Sequence, residues 1–452
     1  MTDRYINGNT SNDPNPTGAA AGADWMGGDI EGVTSKIQSG YFAELGVNVL
    51  WLTPFNTNAQ GTGIAGDGQH DVAAYHGYWP VEPRQVDPRL GTADQLKTMV
   101  DAAHQSGIRV MMDYVVNHVH QDHIYYQDNP EWFNQGCLCG SANCDWTEHR
   151  LDCQFTSYMP DVNWKVRNAS EQFIEDALWW LEEFDFDVAI LFSDILFPLE
   201  SLGLDLQYIP GPTFNEKIQP KHIKDLKSAK EIANDLQFQS EALKLTRKEL
   251  PEDKSLVGFV GGPWTLLSFA AGIKNELQIS DVEKNKFFEE ALYDVLIPII
   301  KESIKSQLNS GAEIVYIFDT NAVQLEKRYF NEKYIGRLKN ELFLPFNKRV
   351  AYFTKNDSIN HFDDINNEFS LAGYVYNSLN GLPEKLKKNP QFTCVVGLST
   401  EPERLVDIRK NRMSSLKETE NKSYTDLEKI KREVNNAKNT FKKYKWPTID
   451  VT

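Results

Sequence analysis

The sequence predicts an α/β chain of the (β/α)8 type, with a loop-rich insertion after the third strand and a further α/β segment at its C-terminal end. Three observations carry this expectation. Short apolar, β-branched runs alternate with helical patterns, and their spacing is that of βαβ units. Counting a short strand at the start of the chain, the runs number eight, which closes a parallel barrel.

Taken in order, a short first strand is expected at the very start. Asn48 to Pro54 (NVLWLTP) and Ile108 to Val116 (IRVMMDYVV) read as buried parallel strands, with a helix from Thr92 to Gln105 between them. Residues Val119 to Trp164 form the loop-rich insertion. A helix follows from about Asn168 to Phe184, with Phe173, Ala177, Trp180 and Leu181 near one face. Val188 to Phe192, Leu256 to Val260, Ala312 to Phe318, Val350 to Phe353 and Leu371 to Tyr376 supply the remaining strands, mostly separated by Lys-rich helical stretches. Towards the end, Leu427, Ile430, Val434, Ala437 and Phe441 make an apolar stripe on a helix from Thr425 to Phe441, the pattern of a core-facing helix.

Composition limits the function. The 452 residues include 47 Lys+Arg and 64 Asp+Glu, a formal charge of −17, and 41% are apolar. That balance excludes disorder for most of the chain and argues against a nucleic-acid partner. No apolar run approaches the roughly 20 residues of a spanning helix, so a membrane protein is not expected. The charge is unevenly placed. Residues 1–187 hold 9 Lys+Arg against 27 Asp+Glu, whereas residues 188–452 hold 38 against 37. Eight of the ten Trp and seven of the nine His also precede position 188, while 30 of the 33 Lys follow it. One folded surface normally spreads its composition more evenly, so the step implies two protein chemistries joined end to end.

The opening MTDRYINGNTSND lacks the basic and apolar regions of a secretory signal. Cys137, Cys139, Cys144 and Cys153 crowd into seventeen residues around His149. A disulfide-closed extracellular loop fits their Lys-poor surroundings, and a thiolate zinc cluster is the alternative, although no CxxC spacing is present. Cys394 stands alone in a Val-rich strand pattern and reads as an inert core residue.

Motifs in residues 1–187 resemble the α-amylase family of glycoside hydrolases. Asp113-Tyr-Val-Val-Asn117-His118 has the form of that family's signature at the end of the third strand. Tyr75-His-Gly-Tyr78-Trp79 is similar to its sugar-stacking segment, and Met159-Pro-Asp161-Val-Asn163 to the motif closing its inserted domain. The resemblance implies that Tyr78 and Trp79 stack on a pyranose and that His118 donates to a sugar hydroxyl, although each taken alone would read as a packed residue. It also implies calcium in a loop of Asn7, Asn9, Asn12, Asp13, Gly27 and Asp29, where short oxygen-bearing side chains around glycine suit a hard cation. An Asx-rich surface turn is the alternative there. A second metal site would use Asn117 and Asp161, but the backbone carbonyl that completes it in the family has no recognisable counterpart. The family pattern after Asp187 would place Arg at position 190 and the nucleophilic Asp at 192; this chain has Ile190 and Phe192.

From about Val188 to Ser378 the chain resembles uroporphyrinogen decarboxylase, itself a (β/α)8 barrel of the cytoplasm. Ala189-Ile-Leu-Phe-Ser-Asp194-Ile-Leu, Val257-Gly-Phe-Val-Gly-Gly-Pro263-Trp-Thr-Leu and Phe318-Asp319-Thr320 carry the likeness. It implies that Asp194 is the catalytic carboxylate facing a tetrapyrrole, stabilising the cation formed when a pyrrole is protonated, without an organic cofactor. Phe269 stands where that family commonly has Tyr and Thr320 where it often has Ser, both substrate-contacting positions. The Arg-rich N-terminal motif that grips substrate carboxylates is absent. From about Leu379 the chain resembles the C-terminal end of pyruvate phosphate dikinase regulatory proteins, through Val396-Gly-Leu-Ser-Thr-Glu-Pro402-Glu-Arg404, Arg409, Arg412 and Trp446-Pro-Thr-Ile-Asp-Val-Thr452. Arg404, Arg409 and Arg412 would hold phosphate in that family, or form a solvated helix face.

The fold expected is therefore a hybrid TIM-barrel-like (β/α)8 built from parts of two barrels (1–187 with its insertion at 119–164, then 188–378) plus the segment 379–452. No parental catalytic set is complete, so an inert chain retaining calcium and weak α-glucan binding is the leading expectation. Residual decarboxylase chemistry through Asp194 and an α-glucan-acting hydrolase are the alternatives, with α-glucan or tetrapyrrole as partner. The first part has the look of a secreted protein and the remainder of a cytoplasmic one.

Overall fold

In the computed structural model the described residues are 1–20, 22–44, 47–65, 68–139, 141–154, 156–191, 194–208, 212–224, 228–273, 285–347, 349–354, 370–373, 397–399, 402–406, 426–444 and 448–450. They fall into two compact units, one of residues 1–136, 152–186 and 377–452, the other of residues 137–151 and 187–376.

The first unit contains the expected βαβ element. Strand Val49–Leu52 pairs in parallel with Arg109–Met112, and helix Ala93–Gln105 connects them. Thr92 and Gln95 form a capping box that satisfies the helix's first N–H groups, while Leu96, Met99, Val100 and Ala103 bury one face. Helix Arg167–Glu183 buries Ala169, Phe173, Trp180 and Leu181, with Asp176 on that face. Asp176 is tolerated because Arg84 Nε donates to it at 2.7 Å, Gln172 Nε2 at 3.0 Å and the Tyr125 hydroxyl at 3.3 Å. The insertion folds onto this helix through Val119, Phe133 and Val162. In the terminal segment, strands Gly397–Ser399 and Thr448–Asp450 pair in parallel, and Ile430 and Val434 of helix Leu427–Tyr444 pack with Val406. Arg409, Arg412 and Cys394 lie outside the described residues.

The expected first strand is corrected. Among the described residues no strand precedes Val49. Carboxylates organise this segment instead: Asp3 accepts from the Met26 and Gly27 amides, and Asp29 from those of Gly8 and Asn9. Such side-chain bonds engage backbone donors that a ladder would need.

The second unit holds a five-stranded parallel sheet in the order Ser370–Gly373, Val350–Thr354, Ile314–Asp319, Ser255–Gly261, Val188–Ile190. Each strand therefore lies beside its neighbour in sequence, the single winding direction that successive βαβ units produce. The central strands are nearly continuous apolar runs, and Leu256, Val257, Val260, Val315, Ile317, Val350 and Tyr352 are all buried, as sheets covered on both faces require. Cys137 and Cys144 are joined by a disulfide, and Cys139 and Cys153 are also in disulfide form, which decides between the two readings of these cysteines.

Candidate functional site

Chemistry-bearing residues gather at one place in each unit. In the first, strand Arg109–Met112 ends in Asp113, whose amide donates to the Leu52 carbonyl. The Asp113 carboxylate accepts from Trp51 Nε1 at 2.5 Å and from the Tyr78 hydroxyl at 2.8 Å. Two aromatic donors thus satisfy the carboxylate, and Tyr78 is fixed at both ends, because its carbonyl also accepts from His118 Nε2 at 3.0 Å. Burial, followed by the bond to Asp113, raises the Tyr78 hydroxyl well above its usual range, so it stays a neutral donor. His76 stacks on Tyr78 with ring centroids 5.5 Å apart. Burial first, then the His118 and Arg4 charges, pushes His76 down to about 4. Burial also lowers His118.

The two aromatic residues expected to stack on sugar are placed differently. Tyr78 is 37% exposed and Trp79 only 5%, packed with Ala59, Ala74 and Met159. Trp79 is thus a core residue of this segment, and Tyr78 presents its ring outward. The N–H expected to reach a sugar hydroxyl from His118 is directed to the Tyr78 carbonyl. Sequence reasoning missed Trp51 and His76. The signal for Trp51 was present: it pairs in register with Met111, so Asp113 lies just beyond, on the same face.

The structure brings together part of the expected cation loop. Asn7 Nδ2 donates to Asp13 Oδ1 at 2.7 Å, and both lie against Gly27. Gly27 has φ +81°, and a Cβ there would stand 2.5 Å from Asn7 Nδ2 and 2.6 Å from Asp13 Oδ1, so only glycine allows this approach. Asn12 Oδ1 is buried with no hydrogen-bond partner. Asn9 Oδ1 accepts from the Ser11 amide and hydroxyl. Asp29 is otherwise employed: its oxygens accept from the Gly8, Asn9 and Gly32 amides, and it caps helix Ile30–Gln38. The amide and carboxylate oxygens of Asn7, Asn12 and Asp13 fit a hard cation, and the orphaned Asn12 oxygen is the observation in favour. Among the described residues no group of three or more His, Cys, Asp or Glu could hold a metal. Asn117 and Asp161 are also neighbours, since His118 bridges to Asp161 and the Val162 amide donates to the Asn117 carbonyl.

In the second unit, Asp194 follows strand Val188–Ile190, and its Oδ1 accepts from the Leu196 amide at 2.7 Å. It borders a cleft with Ile195, Pro198, Gln239, Phe259, Val260, Gly261, Ile300 and Ser303. Neither Phe269 nor Thr320 is among the described residues that line it. Among the described residues the lining contains no Lys or Arg. Burial raises the Asp194 carboxyl, opposed by the Leu196 amide bond, while Glu200, itself raised by burial, is paired with Arg150 at 3.0 Å. Asp319 of the Phe318-Asp319-Thr320 motif is fully buried. It accepts from the Thr265 amide and hydroxyl at 2.8 and 2.9 Å and from the hydroxyls of Tyr334 and Tyr352. Burial raises its pKa against these four donors. Asp319 thereby ties strand Ile314–Asp319 to the first turn of helix Pro263–Ala271, where a carboxylate also meets the helix dipole. This network was not legible from the sequence, because its partners are separated by up to 54 residues.

The uroporphyrinogen decarboxylase family model matches residues 164–398, more than half of the chain. The chain belongs to that family. It is also a mosaic: the α-amylase catalytic-domain model matches residues 1–188, and the kinase/pyrophosphorylase model matches residues 370–452. Among curated proteins it is 62% identical over 89 residues to a putative pyruvate, phosphate dikinase regulatory protein of Pelagibacter ubique, covering 18% of this chain and 32% of that protein. It is 32% identical over 154 residues to a cyclomaltodextrin glucanotransferase of Paenibacillus macerans (32% of this chain, 21% of that protein). It is likewise 32% identical over 228 residues to a uroporphyrinogen decarboxylase of Francisella philomiragia (46% and 65%). The chain spans less than two thirds of the length of each relative.

Proposed function

We propose that the chain is a catalytically inert mosaic that binds α-glucan weakly through Tyr78 and takes calcium in the loop of Asn7, Asn12, Asp13 and Gly27. The observation carrying this reading is the coexistence of an assembled Tyr78–Asp113–Trp51 constellation with Ile190 on the strand where a glycosidase of this family would carry Arg. Tyr78 offers an exposed ring face held by Asp113, suited to the apolar face of a pyranose. Hydrolysis needs two carboxylates on opposite sides of the scissile bond, and Asp113 is already committed to Trp51 and Tyr78. In the remainder, none of the described residues lining the cleft of Asp194 is a cation that could receive a tetrapyrrole's carboxylates. Bound calcium would supply a fixed positive charge joining the Asn7–Asp13 turn to Gly27.

Electrophoresis through gels containing soluble starch tests the binding reading, with reducing-sugar release and coproporphyrinogen formation assayed on the same preparation. Retarded migration that is lost in Tyr78→Ala, with neither product formed, is the expected result. Release of sugar, or coproporphyrinogen formation abolished by Asp194→Asn, would overturn inertness.

A further inference from the structure

Tyr78 and Trp164 are the exposed large aromatic side chains among the described residues of the first unit, at 37% and 42%. We propose that Trp164 is a second stacking face for the same glucan, so that the site takes an α-linked oligosaccharide across two rings. This inference rests on the glucan-binding reading.

Both residues are attached to one short stretch of chain. Trp164 Nε1 donates to the Val116 carbonyl at 3.2 Å, and the Tyr78 carbonyl accepts from His118 Nε2 two residues further on. Two residues of extended chain span at most about 7 Å between Cα atoms. Tyr78 and Trp164 are therefore both attached to the tripeptide Val116-Asn117-His118, Tyr78 through its main chain and Trp164 through its indole. Each ring is also oriented. Tyr78 is held at its hydroxyl by Asp113, and Trp164 leans on Phe173 with centroids 6.1 Å apart at 55°. An indole with its N–H satisfied and one edge packed has lost its rotamer freedom before a ligand arrives, which lowers the entropic cost of stacking. Between the anchors lies the exposed side chain of Asn117, whose amide both donates and accepts, as sugar hydroxyls require. Two oriented aromatic residues and the exposed Asn117 amide on the same segment match an amphipathic ligand with alternating apolar faces and polar edges. A free monosaccharide could occupy only one ring.

The test compares glucose and maltoheptaose binding by calorimetry on the full chain, alongside migration in starch gels. Trp164→Leu keeps apolar bulk against Phe173 and removes the ring; Trp164→Phe keeps a ring and loses the indole bond. The expected result is that Trp164→Leu weakens maltoheptaose roughly tenfold, leaves glucose unchanged, and is substantially rescued by Trp164→Phe. Maltoheptaose affinity unchanged in Trp164→Leu but lost in Tyr78→Ala would overturn the second face while leaving the glucan reading standing. Starch that does not retard the unmutated chain would remove both.

Discussion

His76 and His123 show most directly how burial sets behaviour at single residues. Burial, with nearby positive charge at His76, pushes the two down to about 4 and about 3, against about 6.5 in an unfolded chain. Each accepts through Nδ1 from a backbone amide two residues on, that of Tyr78 for His76 and that of Tyr125 for His123. Protonation would abolish that acceptor. As pH falls from about 6.5 towards 4, the unfolded chain binds protons that the folded chain refuses, so stability falls with pH, by roughly 1.4 kcal/mol per unit for each histidine. Urea midpoints measured between pH 6.5 and 4.5 should decline accordingly. His123→Asn, which keeps a capping acceptor but does not titrate, should flatten the slope even where it lowers stability. An unaltered slope in that variant would contradict the assignment. The sequence made the aromatic and histidine residues visible as a group, yet could not separate Trp79, which is core, from Tyr78, which is exposed. Adjacent residues in an irregular segment have no period from which their facing can be read.

At the scale of elements, strands and helices were the legible part. Helix Ala93–Gln105 begins one residue after the expected start because Thr92 is its cap, and the five strands of the second unit's parallel sheet overlap the runs that predicted them, four of them reaching one residue past a predicted end. Strand period and helix period are local properties, so they survive in a mosaic. The loop from Asn7 to Asp29 was legible only as chemistry, because its shape depends on bonds spanning up to 24 residues. Within it, Asp29 caps a helix while Asn12 leaves an oxygen without a donor. That distribution predicts a calcium-dependent element. Calcium at a hundredfold excess over its dissociation constant should raise unfolding stability by about 2.7 kcal/mol, and a chelator should remove the gain. Gly27→Ala, forced into a left-handed conformation against Asn7 and Asp13, should abolish the calcium response itself. A calcium-dependent shift that persists undiminished in Gly27→Ala would show that the ion binds elsewhere.

On the scale of the whole molecule, the composition step at Asp187 falls at the point where the chain passes from the first compact unit into the second. The segment from position 377 clusters with the first unit, a grouping no local signal announces, since it depends on contacts such as Arg404 with Met26 across 378 residues. Its charge is nevertheless suggestive: residues 377–452 hold 16 Lys+Arg against 10 Asp+Glu, opposite in sign to the opening stretch with which they cluster. Each unit has buried side chains of its own, Phe55, Leu96 and Trp180 in one and Trp264, Phe330 and Tyr352 in the other. Two cores inherited from different parents have no reason to melt together, because cooperativity comes from shared packing. Scanning calorimetry should therefore resolve two transitions, with the calorimetric enthalpy exceeding the van't Hoff enthalpy of a single-step fit. Added salt should screen the attraction between the acidic opening and the basic terminal segment and lower the midpoint of that unit more than the other. A single transition with matching enthalpies, insensitive to salt, would mean that the joined pieces have become one cooperative core.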